Sequence, residues 1–454
     1  MAPNPRPGPD DSFPSPTSLV QAETDATLLK HIPDQPLAKL DRNAHVQFLA
    51  RNFVQGFPSF SLLQVGLDPG NNQRAIDTIL TWQHPDGGFG GGPGQSPHLL
   101  ATYASVCSLS IAGRPGENGG WDQIDREKMY TFFLSLKQQD GSFLVAHHAE
   151  VDVRGIYCLL VTATLLDILT PELVEGTASF IASCQTYEGG FASASQPYFS
   201  PYTSESLLAS PRPPLGEAHG GYTFCSLAAW VMLQPFLDDS LVGTTRPQIN
   251  TNSLLRWLVH MQGSPTELGG FRGRTNKLVD GCYSWWVGGA FTLLEVLGVS
   301  VATPDIDQSH GQGDEQDWND VDDSFFNREA LQEYILYAGQ HPAGGLRDKP
   351  PKNADAYHTM YCLSGLSSAQ HRVVPSPERR GQILSAWQRK DDDLLPGRFR
   401  KRTFLDSLSW TEDGTTAKIF GGDVNRVNAT HPVFNLTIRY IVITTKRRKQ
   451  ENDV

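Results

Sequence analysis

A short glycine-containing turn recurs five times in this 454-residue chain, and it constrains the fold more than any other feature of the sequence. Each copy ends in an apolar residue, and these residues are Phe89, Phe143, Phe191, Phe271 and Leu346. They are 54, 48, 80 and 75 residues apart, and the two long gaps contain a Ser/Pro-rich insertion (193–216) and an acidic insertion (303–323). Without these insertions every spacing is close to 50, which indicates a repeat architecture.

Each repeat reads as two helices. An amphipathic helix precedes each turn, and a more apolar helix follows it, predicted over 153–169, 222–236, 283–297 and 357–366. Because a helix that is apolar all round is buried, we expect an inner ring of apolar helices and an outer ring of amphipathic ones. The predicted fold is all-α: an α/α toroid of helical hairpins spanning 41–370, after a disordered Pro-rich arm (1–40). A C-terminal extension (371–454) is expected to return to the toroid near 430–436.

Composition excludes several classes of protein. A formal charge of −12 argues against a nucleic-acid binder. The six cysteines form no Cys-x-x-Cys pair, so they suggest neither a disulfide framework nor a four-cysteine metal site. The N-terminus does not have the pattern of a secretory signal, and no run of about 18 apolar residues is present. We therefore expect a cytoplasmic protein that is not embedded in a membrane.

Polar residues gather where the apolar helices begin, and a toroid would bring these starts to one mouth. They are His98, Asp152, Arg154, His219, Asp280, Cys282, Asp355 and His358. Helix N-termini attract anions, and Arg274 and Lys277 add two cations. Below the mouth, aromatic residues would line an apolar cavity; they are Tyr157, Tyr222, Trp285, Trp286 and Tyr361. This arrangement predicts a site for an amphiphile with an anionic head.

Asp280, Cys282 and His358 could together bind zinc, since a carboxylate, a thiolate and an imidazole are all zinc ligands. Each residue also has a simpler interpretation: Asp280 as a helix cap, Cys282 as a small buried hydrophobe and His358 as a core histidine. Likewise, Arg274 and Lys277 could lie in a solvated loop, His219 in a turn, and the aromatic residues in the core. An acidic motif at 320–323 is interpreted as a solvated charge run.

Long segments at five rim positions resemble the beta subunits of protein prenyltransferases, most closely those of the farnesyltransferases. These segments are 86–94, 150–154, 217–225, 276–286 and 357–366, and the resemblance runs from about residue 45 to 370 with a return at 430–436. Gly281, Tyr357 and Tyr361 favour farnesyl over geranylgeranyl transfer.

The resemblance implies a role for each matching residue. It makes Asp280, Cys282 and His358 zinc ligands, and Asp348 a ligand of magnesium on the leaving group. It assigns diphosphate binding to His219, Arg274, Lys277 and Tyr283, with Tyr283 also in the catalytic set. It assigns the isoprenoid channel to Arg154, Tyr157, Gly221, Tyr222, Cys225 and Trp286, with Tyr103 and Tyr361 limiting its depth.

The resemblance also implies partners and substrates. It predicts a heterodimer with a helical-repeat alpha subunit, farnesyl diphosphate as the lipid donor, and proteins ending in C-a-a-X, such as small GTPases, as acceptors. Alternatives stay open because relatives carry an extra segment near 54–61 and a further helix after Leu436 that this chain lacks. The chain could be a geranylgeranyltransferase subunit or an inactive toroid that only binds.

Overall fold

The computed structural model describes residues 15–30, 38–54, 69–196, 213–237, 246–300, 324–387 and 397–441. Helices dominate this part of the chain. In order they are α1 (Pro16–Leu29), α2 (Arg42–Val54), α3 (Pro69–Leu80), α4 (Leu99–Ala112), α5 (Arg126–Leu136), α6 (Val153–Leu165), α7 (Pro171–Val174), α8 (Thr177–Ser183), α9 (Gly220–Leu237), α10 (Thr251–Val259), α11 (Tyr283–Trp286), α12 (Gly288–Val296), α13 (Arg328–Glu333), α14 (Ala356–Gln370), α15 (Pro377–Ser385) and α16 (Gly397–Leu408). A π-helical turn, Tyr334–Gly339, extends α13, and 3-10 turns occupy Pro265–Glu267 and Asp423–Asn425.

Strands contribute two small antiparallel pairs to the described residues. β1 (Ala194–Ser195) pairs with β2 (Pro214–Leu215), at the two ends of the Ser/Pro-rich insertion. β3 (Arg372–Pro375) pairs with β4 (Trp410–Asp413) in the C-terminal extension. The rest of the Ser/Pro-rich insertion, the acidic insertion with its 320–323 motif, and the segment near 54–61 lie outside the described residues.

The predicted repeat is visible as one recurring backbone contact. In all five turns the apolar residue forms an antiparallel bridge with a residue at the end of the preceding helix. The pairs are Gln83–Phe89, Lys137–Phe143, Gln185–Phe191, Gln262–Phe271 and Gln340–Leu346. All five apolar residues are fully buried. The five turns are therefore equivalent positions of one structural unit.

The apolar helices form the predicted inner ring, in chain order: α4 contacts α6, α6 contacts α9, α9 contacts α11 and α12, and these contact α14. Every residue of α6 except Arg154 is buried. The predicted single helix over 283–297 is instead two helices, α11 and α12, that meet at Val287. None of the described helices is long and apolar enough to cross a membrane.

Close backbone contacts at the glycine turns link each repeat to the next. A Cβ at Gly87, whose φ is 101°, would lie 2.1 Å from the carbonyl oxygen of Lys128 in the next outer helix, α5. In the fifth turn, a Cβ at Gly344 would lie 2.3 Å from the carbonyl oxygen of Ala44 in α2. The N-terminal helix α2 therefore occupies the next outer position after α13 and closes the ring.

The expectation of disorder throughout 1–40 is wrong for part of this range, because 16–29 forms α1. Ser15 caps this helix in a reciprocal pair with Ser18, and Pro16 occupies its first turn. Thr24 and Leu28 are buried, and the Gln21 side-chain amide donates to Glu267 at 3.2 Å. Residues 1–14 and 31–37 lie outside the described part of the chain.

The C-terminal extension packs on the ring along much of its described length. Strand β3 contacts the inner helix α12, and helix α16 contacts the inner helices α6 and α9. Farther along, the hydroxyls of Tyr157 and Tyr103 donate to the carbonyls of Val433 and Phe434, at 2.9 and 3.3 Å. The extension therefore meets the toroid already at β3, well before residue 430.

Candidate active site

The polar residues at the inner-helix starts share one local geometry. In each, a side-chain atom accepts a hydrogen bond from a backbone N–H two or three residues later. The pairs are His98 with Leu100 (3.1 Å), Asp152 with Arg154 (2.7 Å), His219 with Gly221 (3.0 Å), Asp280 with Cys282 (2.8 Å) and Asp355 with His358 (2.7 Å). His98, Asp152 and Asp355 are N-caps that satisfy otherwise unpaired helix N–H groups. Asp280 instead accepts from Cys282, which itself occupies the N-cap position of α11, so Asp280 caps the turn that leads into this helix rather than the helix itself.

Capping does not exclude a metal-binding role, because Asp280, Cys282 and His358 also converge in space. One ligand atom from each residue lies within 4.8 Å of the others. The Nε2 atom of His358 is 3.3 Å from Oδ1 of Asp280, and Cys282 is buried. Two of these residues precede α11 and the third is in α14, so the contact between these two helices assembles the cluster.

The protonation of the cluster reflects burial and its carboxylates. Burial alone would lower the pKa of His358, but hydrogen bonds to Asp280 and Asp355 raise it to about 9. Burial would raise the pKa of Asp280, but hydrogen bonds from His358 and the Cys282 backbone lower it. Burial, followed by the charge of Asp280, raises the pKa of the Cys282 thiol. These contacts favour a protonated His358 beside an ionised Asp280.

This donor set fits zinc. It offers a carboxylate oxygen, a thiol sulfur and an imidazole nitrogen, and three protein ligands leave one position open for a substrate atom. Asp355 accepts a hydrogen bond from Nδ1 of His358 at 2.7 Å, so Nε2 is the nitrogen that faces Asp280. A carboxylate behind a ligating histidine is a common feature of zinc sites.

Close packing around Gly281, within the cluster, leaves no room for a side chain at this position. A Cβ at this position would lie 2.6 Å from Sγ of Cys362 and 2.7 Å from the carbonyl oxygen of Arg347. Its N–H donates to the carbonyl of Asp348 at 2.8 Å. The close approach of the segment 347–348 therefore requires glycine between Asp280 and Cys282.

His219 and Tyr283 form a neutral hydrogen-bonding pair at the mouth. Nδ1 of His219 accepts from the N–H of Gly221, so Nε2 carries the proton and donates to the Tyr283 hydroxyl at 3.0 Å. Burial and, secondarily, Arg274 lower the pKa of His219 to about 4, which keeps this imidazole neutral. The Tyr283 hydroxyl keeps its own proton available for an anion.

The predicted cations lie at the same mouth but differ in their contacts. Arg274 forms an ion pair with Glu217 at 2.6 Å, and Lys277 is exposed. Arg154 forms an ion pair with Asp152 at 2.7 Å. Its guanidinium lies over the ring of Tyr222, 5.0 Å from the ring centre. Sequence reasoning did not assign Glu217 a role, although its position two residues before His219 places it at this rim.

Aromatic side chains line the ring from the mouth inward. The indole N–H of Trp286 donates to the Tyr357 hydroxyl at 3.0 Å, and its ring lies 4.4 Å from that of Tyr361. Phe224, which the sequence reasoning missed, contacts Trp286 with ring centres 5.5 Å apart. The position of Phe224 three residues after Gly221, on the same face of α9, was the available signal.

The deep end of this aromatic series is made by Tyr157 and Tyr103, with ring centres 5.6 Å apart. Cys225 is buried, and the rings of Tyr157 and Phe224 contact each other with centres 5.8 Å apart. Trp285 is 1% exposed and packs against Phe224, with ring centres 5.2 Å apart.

Asp348 lies beside the metal-ligand cluster. Its carboxylate pairs with the ammonium of Lys349 at 2.6 Å. Burial and, secondarily, the negative charge of Asp280 raise the pKa of Asp348. Asp348 is thus a third carboxylate close to the cluster, besides Asp280 and Asp355.

Comparison with known proteins identifies the family. The sequence model of the prenyltransferase alpha-alpha toroid domain matches residues 40–436, most of the chain. This chain belongs to the prenyltransferase α/α-toroid family. The solved structure titled Candida albicans protein geranylgeranyltransferase-I complexed with GGPP covers 90% of this chain and 99% of its own, with a TM-score of 0.56 and 16% identity, which supports the toroid fold.

Several relatives within the toroid family share a quarter to two fifths of the aligned residues with this chain. The protein farnesyltransferase subunit beta of Pisum sativum is 36% identical over 361 residues, which are 70% of this chain and 78% of that protein. The protein farnesyltransferase subunit beta of Schizosaccharomyces pombe is 40% identical over 303 residues, 66% of each chain. The geranylgeranyl transferase type-1 subunit beta of Arabidopsis thaliana is more distant, at 26% over 294 residues and 64% of each chain.

Proposed function

We propose that this chain is the catalytic beta subunit of a protein farnesyltransferase. It would transfer farnesyl from farnesyl diphosphate to the cysteine thiol of a C-terminal C-a-a-X sequence. The observation that carries this proposal is the cluster of Asp280, Cys282 and His358 at a mouth that also holds cations and opens onto aromatic side chains. A thiol, a diphosphate and an isoprenoid chain each meet matching chemistry at this mouth.

We assign one zinc ion to the three-residue cluster. When bound, zinc supplies a Lewis acid that lowers the pKa of a thiol taking its open position. The protein prepares this site through Asp355, which orients His358, and through Gly281, which lets the strand-like segment 347–348 approach. Because the thiol of Cys282 and the imidazolium of His358 must lose protons, metal affinity should rise with pH.

The mouth residues bind the diphosphate and stabilise the charge that develops on it as the carbon–oxygen bond breaks. Arg274 and Lys277 supply positive charge, and the Tyr283 hydroxyl donates a hydrogen bond. His219, neutral at physiological pH, fixes the orientation of Tyr283. Donors positioned before the reaction are among the largest contributors to catalysis. Asp348 is the carboxylate that would hold a magnesium ion accompanying the diphosphate.

The aromatic residues below the mouth form the lipid-binding surface. Arg154 and Tyr222 lie near the mouth, and Gly221, Cys225, Trp286 and Tyr361 continue the surface inward. Tyr157 and Tyr103 lie at its deep end, where their hydroxyls are held by backbone carbonyls. A fixed end to the apolar surface would discriminate between isoprenoids of different length.

The relatives' names as beta subunits support a heterodimer with an alpha subunit. Proteins ending in C-a-a-X, including small GTPases, are the proposed acceptors. A cytoplasmic location agrees with the six cysteines, which are all buried and none of which forms a disulfide.

Co-expression with an alpha subunit tests the proposal. The purified heterodimer should farnesylate a C-a-a-X peptide, lose activity when a chelator removes zinc, and regain activity when zinc is restored. Cys282→Ala should abolish the reaction, whereas Cys184→Ala, at a buried cysteine outside the site, should retain it. Turnover with geranylgeranyl diphosphate in preference to farnesyl diphosphate would favour the geranylgeranyltransferase alternative, and binding without turnover would favour an inactive toroid.

A further inference from the structure

A second cavity lies outside the ring of site residues. It has a volume of about 310 Å³ and is lined by residues of α2, α14 and the C-terminal segment 427–439. On α14 it is lined by Met360, Leu363 and Ser364. Met360 and Leu363 lie about 100° or more around the helix from both His358 and Tyr361, whereas Ser364 lies about 60° from Tyr361. The described residues that line the cavity include none of the metal-ligand, mouth or aromatic residues.

The lining of this cavity combines apolar side chains with positive charge. The apolar residues are Leu40, Val46, Leu49, Met360, Leu363 and Val427. Arg42 and Arg439 are also at its wall, and both are exposed. The described residues of this lining include no acidic side chain, and among them Arg42 donates to the backbone carbonyls of Val424 and Arg426. This chemistry suits a molecule with an apolar body and an anionic head.

Two buried polar atoms of the lining residues have no hydrogen-bond partner among the described residues. They are Nδ1 of His45 and Oγ1 of Thr437, and His45 is only 4% exposed. Nε2 of His45 contacts the Gln340 side-chain oxygen at 2.9 Å, so Nε2 carries the proton and Nδ1 is a free acceptor. Buried polar groups are nearly always hydrogen-bonded. These two atoms are therefore available to hydrogen-bond a polar group of a bound molecule.

We propose that this cavity is a second lipid-binding site, which takes a small amphiphile with a carboxylate or phosphate head. The apolar chain lies between α2 and α14, and the head lies at Arg42 and Arg439. Such a ligand would join the helix that closes the ring to the last inner helix. The proposal does not depend on the reaction at the mouth.

Binding to the purified heterodimer, with farnesyl diphosphate in excess, tests this proposal. The probes are decanoate and geranyl monophosphate, which separate a fatty-acid source from an isoprenoid phosphate source. We expect one of them to bind by calorimetry. Val46→Trp fills the cavity from α2 and should weaken binding by about tenfold or more, as should Arg439→Glu.

Matched variants complete the test. Val296→Trp and Arg256→Glu make the same changes at partly exposed positions elsewhere and should leave probe binding unchanged. Farnesyl transfer measured in parallel should be unaffected by Val46→Trp, so failure at the cavity and failure at the mouth are distinguished. The absence of binding by both probes, or equal binding by Val46→Trp and wild type, would overturn the proposal.

Discussion

At the scale of single residues, one imidazole shows how the site is organised. His358 is held from both sides, by Asp355 at Nδ1 (2.7 Å) and by Asp280 near Nε2 (3.3 Å). Asp355 also caps α14 through the backbone N–H of His358. The Asp355 carboxylate thus caps the start of α14 and orients the imidazole of His358.

Asp355→Asn tests the orienting role of this carboxylate. Asparagine keeps an oxygen for the cap but removes the charge behind His358, so zinc affinity should fall by about 10- to 100-fold. Chelator competition measures this affinity, and Asp125→Asn, at the cap of α5, is the matched control. Equal zinc affinity in Asp355→Asn and wild type would show that Asp355 acts only as a cap.

Arg274→Ala tests the diphosphate-binding assignment. Loss of this cation should slow the chemical step by about 10- to 1000-fold, by analogy with removal of one oxyanion donor. Single-turnover farnesyl transfer measures the step directly. Arg256→Ala, at an exposed position on α10, should retain the wild-type rate, and an unchanged rate in Arg274→Ala would remove the assignment.

At the scale of elements, the loop before α11 is shaped by the ring of Tyr283. A Cβ at Gly273 would lie only 1.8 Å from this ring, and the Gly273 carbonyl accepts from Gly220 at the start of α9. The loop thus joins two inner-helix starts while leaving room for Tyr283. Its sequence, rich in Gly and basic residues, would otherwise read as a solvated surface loop.

Gly273→Ala should therefore displace Tyr283. We expect a loss of about 1–3 kcal/mol in the free energy of unfolding, typical of overpacking, together with weaker farnesyl diphosphate binding. Denaturant unfolding and ligand titration measure the two effects. Gly381→Ala, in α15 with nothing within 4 Å of the added Cβ, should be neutral or slightly stabilising. Unaltered diphosphate binding in Gly273→Ala would argue against a role for this packing.

At the scale of the whole molecule, the two ends of the chain complete the toroid. Helix α2 packs against the fifth glycine turn. The C-terminal segment accepts hydrogen bonds from the hydroxyls of Tyr157 and Tyr103. His431 anchors this segment: it is fully buried, stacks on Phe434 with ring centres 4.6 Å apart, and accepts from the N–H of Val433. Burial lowers its pKa to about 3.

This buried histidine predicts acid sensitivity. The unfolded chain binds a proton at His431 near pH 6.5, but the folded chain does not until about pH 3, so stability falls as pH decreases through this range. Between pH 6.5 and 5 the loss should be about 2 kcal/mol from this residue. Unfolding of wild type and His431→Asn at several pH values measures it, and equal pH dependence in the two would refute the assignment.

The sequence by itself determined the repeat, the burial of the second helix in each unit and the grouping of polar residues at the helix starts. These features are local, because a glycine turn, a cap and an apolar helix each reveal themselves within a few residues. The prediction of disorder for 1–40 is wrong at α1. The Ser15 cap starts a helix there, although the surrounding sequence is rich in proline.

Only the tertiary structure decided which of these local features act together. Asp280 and Cys282 meet His358 because α11 packs on α14, and no spacing within the sequence encodes that contact. The closure of the ring by α2, the pairing of Arg274 with Glu217 and the burial of Trp285 likewise depend on packing between distant segments. Helices and their caps depend on interactions between residues close in sequence. The contacts of each side chain depend on how distant helices pack together.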